Sequence, residues 1–206
     1  MRSSFIREEK NKQDILLPQN INTITWFHGK VYKVAYLKNN NINFHPDLRA
    51  DEDAFFNLIA WNCAARRGET TEVTYIWRFN ENSITRQTKG KTYFLKTYLY
   101  YMTSQVEGLI KIFELKPDID SNLIMQTLIN IYNYHMQARY YRVNENEIIK
   151  LITKLKEQDC IQKSLQDPAS WIYIVNNLRA GAVYDENNIV FFSEPFNEWA
   201  RALLMK

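Results

Sequence analysis

Glu114 and Lys116 are the residues whose types and spacing point most directly to chemistry. They stand in the run Ile112-Phe113-Glu114-Leu115-Lys116-Pro117. Read as a strand, positions i and i+2 point to the same face. A carboxylate there can bind a divalent metal, and an ammonium beside it can hold a water or a phosphate oxygen. Metal-assisted phosphodiester hydrolysis uses such a pair. An E-x-K triplet equally supplies a plain surface ion pair on an edge strand, so context has to carry the reading. An apolar run beginning at Gly108 leads in and Pro117 ends it. The next segment carries Gln126 and Tyr132, and Arg139-Tyr140-Tyr141-Arg142-Val143 follows.

Other constellations are poor. There is no P-loop, no G-x-G-x-x-G, no H-E-x-x-H and no C-x-x-C. His28, His45 and His135 are far apart and lack metal-ligand spacing, so each reads as a surface or hydrogen-bonded residue. Cys63 and Cys160 have no nearby histidine motif and read as structural thiols.

Charge distribution adds a second feature. Residues 1–103 carry +5 and residues 104–206 carry −2, within a net charge of +3. From Asn82 to Val106 there is no acidic residue, but Arg86, Lys89, Lys91 and Lys96 are interleaved with Tyr93, Phe94, Tyr98, Tyr100 and Tyr101. Basic side chains can neutralise phosphates and aromatic faces can stack on bases. The plainer alternative is a hairpin whose aromatic residues fill the core while Lys and Arg face water. Arg66 and Arg67 could also contact phosphate, or form a solvated helix end.

These residues need elements to position them. Residues 1–20 read as a mobile arm. Thr23–Phe27 and Val31–Leu37 flank His28-Gly29-Lys30 as a hairpin. A helix is expected from Asp51 to Ala65, with acids in its first turn and Gly68 beyond its end. Val73–Phe79, Thr92–Met102 and Gly108–Lys116 read as strands. Asp118, Asp120 or Ser121 can cap a helix running to about Gln137. A short strand at Arg139–Val143 follows, then a helix capped by Asn144. Strand, helix, strand, helix suggests a parallel crossover. Residues 159–206 read as helical pieces, a hairpin around Asp185-Glu186-Asn187-Asn188, and a last helix from Pro195 to Met205. That is the plan of a winged helix-turn-helix.

Composition bounds the rest. At 206 residues the chain predicts one domain, or one with a small appendix. Hydrophobic residues are 46% and charged residues 24%, as in an ordinary globular protein. No apolar run is long enough for a transmembrane helix. The N-terminus lacks a secretory signal, and two cysteines cannot make a disulfide framework. A cytoplasmic location is expected. The pI near 8.7 permits nucleic acid as a partner without demanding it.

Leu109–Pro117 and Ala138–Ile149 together resemble the PD-(D/E)XK nuclease superfamily. They look most like the TnsA-type endonuclease subunit of heteromeric cut-and-paste transposons. The resemblance implies a fold of the α+β or α/β class: a restriction-endonuclease-like mixed sheet with flanking helices. That nuclease-like domain would span 21–158, with a small helical, winged-helix-like domain at 159–206. It implies a DNA-acting protein of a mobile element that works with a protein partner such as a transposase. Glu114 and Lys116 would be catalytic, with Glu52 by family analogy. Glu114, Glu52 and Asp53 would bind Mg²⁺. Arg86, Lys89, Lys91, Lys96, Arg66 and Arg67 would contact DNA.

One departure matters. The family places an Asp in the strand before the E-x-K strand, and Thr92–Met102 has no acid. A lysine there would repel a metal rather than bind it. Asp47 of His45-Pro46-Asp47 precedes the expected first helix. Two alternatives to cleavage therefore stand: a nuclease fold that only binds, and a non-enzymatic winged-helix DNA-binding regulator.

Overall fold

Phe94, Tyr98, Met102, Val106, Leu109 and Phe113 recur at intervals of three and four residues, the repeat of one face of a helix. In this computed structural model that face is buried, and Gly90–Leu115 forms one continuous helix. The structure describes residues 2–9, 12–16, 30–77, 90–177, 182–185, 188–191 and 194–206. They belong to two compact units, Met1–Thr88 and Lys89–Lys206. The division falls inside the segment expected to form one nuclease-like domain.

In the first unit, strands β1 (Arg2–Glu9), β2 (Lys12–Leu16) and β3 (Glu69–Trp77) pair in the order β2-β1-β3. Helix α1 covers Val34–Asn39, where the second strand of a hairpin was expected. Thr23–Phe27, its other strand, lies outside the described residues. Helix α2 covers Glu52–Asn62 and opens with Glu52 and Asp53, where the helix dipole favours acids. It buries Phe55, Phe56, Ile59 and Trp61. The Tyr36 hydroxyl donates to the carbonyl of Ala60 at 2.9 Å and the Tyr32 hydroxyl to Asn57 Oδ1, tying α1 and the residues before it to α2.

The second unit is built on helices. We label them α3 (Gly90–Leu115), α4 (Ser121–Tyr140), α5 (Asn146–Lys156), α6 (Asp159–Gln166), α7 (Pro168–Asn177) and α8 (Phe196–Leu203). Antiparallel strands β4 (Ala182–Asp185) and β5 (Asn188–Phe191) lie between α7 and α8. Helices α3 and α4 form an antiparallel hairpin. Tyr101 stacks on Tyr134 with ring centres 5.3 Å apart, Phe94 meets Tyr141 at 5.3 Å, and Asn130 Nδ2 donates to Gln105 Oε1 at 3.3 Å. One apolar core holds Met102, Leu109, Leu128, Ile148 and Leu155, together with Ile161, Leu165, Ile174, Phe196 and Trp199. The region 159–206 thus has its helix, helix, hairpin, helix order but shares its core with α3–α5.

The expected mixed sheet with flanking helices is therefore corrected. Thr92–Met102 and Gly108–Leu115, read as two strands, are one helix, and the strand expected at Arg139–Val143 is the end of α4 and its turn. The error is physical. A dense apolar run satisfies the strand and helix repeats alike, and only the longer window separates them. Gly108, expected as the first residue of a strand, sits buried inside α3. No helix among the described residues is long and apolar enough to cross a membrane.

Candidate nucleic-acid interface

Helix geometry separates the pair on which cleavage would depend. Residues two apart on a helix point about 200° apart. Glu114 lies in the last turn of α3, is exposed, and accepts from Lys111 Nζ at 2.8 Å. Lys116 follows the helix end, its backbone N–H donating to the carbonyl of Ile112 at 2.7 Å. Glu52 and Asp53 open α2 in the other unit, and Asp53 Oδ1 accepts from the backbone N–H of Ala54 at 2.8 Å. Among the described residues, no group of three or more His, Cys, Asp or Glu side chains could hold a metal ion.

The basic candidates divide. Arg86 and Lys89 lie outside the described residues. Arg66 and Arg67 follow α2 in the first unit and are exposed, with the Arg67 guanidinium 5.2 Å from the Trp61 ring centre. Lys91 and Lys96 are exposed on the first two turns of α3. The aromatic residues between them face mostly inward. Phe94 is buried beside Tyr98, and the Tyr93 and Tyr101 hydroxyls meet at 3.1 Å. Burial, with the Glu147 carboxylate nearby, pushes the Tyr98 phenol up. Glu147 itself is bridged to Lys150 at 2.6 Å.

The antiparallel hairpin brings the start of α3 to the end of α4. Lys91 Nζ lies 5.5 Å from the Tyr141 ring centre, and Arg142 follows in the chain. Arg142 closes α4 in a Schellman turn. Its N–H donates to the carbonyl of Arg139, and that of Val143 to the carbonyl of Ala138, both at 2.9 Å. The turn requires a left-handed residue, and Arg142 has φ 56°. Glycine is the usual occupant because a side chain is strained there. Arg142 is nevertheless exposed, and Tyr140 beside it exposes 40% of its surface. Sequence reasoning missed both residues as site candidates. The signal was Arg-Tyr-Tyr-Arg, a basic and aromatic cluster that was read as a strand.

A buried network holds this end in place. His135 is fully buried, and its Nδ1 accepts from Trp199 Nε1 at 3.0 Å. That bond leaves the proton on Nε2, which donates to Glu145 Oε2 at 2.7 Å. Arg139 Nε donates to the same oxygen at 2.9 Å, and its Nη1 reaches Glu194. The Tyr132 hydroxyl donates to the carbonyl of Glu194 at 2.5 Å. Burial lowers the His135 pKa below the ordinary imidazole value. Burial alone would raise the Glu145 carboxyl, but hydrogen bonds from Arg139 and His135 hold it below its ordinary value. Arg139 is shared by two carboxylates, a cluster of net charge −1, so the positive charge at this end rests on Lys91, Lys96 and Arg142.

No family model, curated protein or solved structure matches the chain.

Proposed function

We propose that this chain binds nucleic acid through the end of the second unit that carries Lys91, Lys96 and Arg142. The observation that carries the proposal is Arg142. An exposed arginine occupies a left-handed turn position where glycine would be less strained. Strain of that kind persists where a side chain serves a purpose other than folding. Lys91 stands beside the same turn, and the positive end of the α3 dipole adds to the field. Tyr140 offers an exposed ring to a base or sugar.

The reading keeps the DNA partner expected from the sequence and leaves out cleavage, because Glu114 and Lys116 do not share a face. Fluorescence anisotropy with labelled duplex and single-stranded DNA tests it. Wild-type protein binds, and Lys91→Gln, Lys96→Gln and Arg142→Gly each weaken binding. Equal affinities for all four proteins would overturn it.

A further inference from the structure

The first unit carries an apolar groove of about 540 Å³ that the proposed DNA-binding end does not use. Ile42, Phe44 and Phe56 line it, with Val31 and Val34 along one side. Phe44 stacks on Phe56 with ring centres 4.5 Å apart, and Tyr32 meets Phe56 edge-on at 5.3 Å. This aromatic cluster is tied to α2 through the hydroxyl of Tyr32 and Asn57.

Val34, Leu37 and Lys38 of α1 line the groove. None of the residues of α1 is buried. Val31, Val34 and Phe44 expose 65%, 64% and 46% of their surfaces. Large apolar side chains gathered around one concavity mark an interaction surface rather than scattered exposure. The volume lies in the range of ligand sites.

Charge selects the occupant. Lys30 and Lys38 stand among the lining residues, and no carboxylate is among the described ones. From Lys30 to Pro46 the sequence has Lys30, Lys33 and Lys38 and no acidic residue. We infer that this groove receives an acidic amphipathic peptide segment of a partner protein. Its apolar side chains would seat against Phe44, Phe56 and Val34. Its carboxylates would face the lysines, as in helix-in-groove recognition.

The probe is a labelled amphipathic peptide with Leu and Phe on one face and Glu on the other, titrated with the full chain. A second peptide has Lys in place of every Glu. The acidic peptide is expected to bind and the basic one not. Val34→Ser should weaken the acidic peptide about fivefold, and Lys38→Glu should shift the preference toward the basic peptide. Both positions are exposed, so both variants fold, and both retain wild-type DNA affinity. Equal binding of the two peptides would overturn the inference, as would a preference unmoved by Lys38→Glu. A doubling of mass in solution that Val34→Ser abolishes would assign the groove to a second copy instead, and would also overturn it.

Discussion

Trp199 and His135 stand 64 positions apart in the chain and share a hydrogen bond, the indole Nε1–H donating to Nδ1 at 3.0 Å. That bond fixes the tautomer of a buried imidazole and aims its other nitrogen at Glu145. It links α8 to α4 and, through Glu145, to the turn that carries Arg142. Trp199→Phe removes the donor and leaves Nδ1 buried and unpaired. The expected cost is about 2–3 kcal/mol, read by chemical denaturation. A cost below about 0.5 kcal/mol would show that the bond is dispensable.

Acidification should weaken the fold through His135. Burial lowers its pKa below the ordinary 6.5. Between those two values the unfolded chain binds more protons than the folded one, so stability falls as pH drops below 6.5. Glu145, also lowered, adds a further loss as pH falls below its ordinary 4.5. Denaturation curves across this range should show both losses in wild type. His135→Gln should lack the first and retain the second.

Arg139 joins two carboxylates, and its planar fork suits that bridging role. Arg139→Met leaves Glu145 and Glu194 without their shared cation. The expected loss is about 1–2 kcal/mol, discounted because the side chain is a third exposed. Arg139→Lys should recover only part of it. Full recovery with lysine would mean that charge alone matters there.

Helix α3 gives opposite expectations at two nearby positions. Ile110→Pro breaks the ladder in the helix interior and should cost about 3 kcal/mol or more. Glu114→Ala removes only an exposed pair with Lys111 and should change stability by less than about 0.5 kcal/mol. A large loss at Glu114 would give that carboxylate a role the helix does not supply.

Several local signals were legible in the sequence. Asp120 was among the residues expected to cap α4, and its Oδ1 accepts from the N–H of Asn122 at 2.9 Å. Asn144 was expected to cap the next helix, but Glu145 occupies the N-cap and Asn144, one residue before it, accepts at Oδ1 from the N–H of Asn146 at 3.0 Å. Helix α2 was placed by its acids and apolar face. These features depend on short-range chemistry, which a few residues specify. The nature of Gly108–Leu115 was not legible, because Leu109, Ile110, Ile112 and Phe113 suit either period. Only the buried series reaching back to Phe94 separates helix from strand. The site followed the same course. Lys91 and Lys96 were visible as charge, but Arg142 became a candidate only once α3 and α4 were seen to be antiparallel.

Arg142 separates stability from binding. Arg142→Gly relieves a left-handed side chain at a helix C-terminus and should stabilise the chain by about 0.5–1 kcal/mol. It also removes a cation from the proposed interface, so DNA affinity should fall while stability rises. Lower stability, or unchanged affinity, would contradict the role given to this residue.

The salt dependence of DNA binding is the most direct test of the proposed function. Three phosphate contacts would contribute about −2.7 to the slope of log affinity against log salt concentration. Combining Lys91→Gln, Lys96→Gln and Arg142→Gly should therefore flatten the wild-type slope by about 2–3 units. A variant with the wild-type slope, or a wild-type chain that binds no DNA at low salt, would contradict the account.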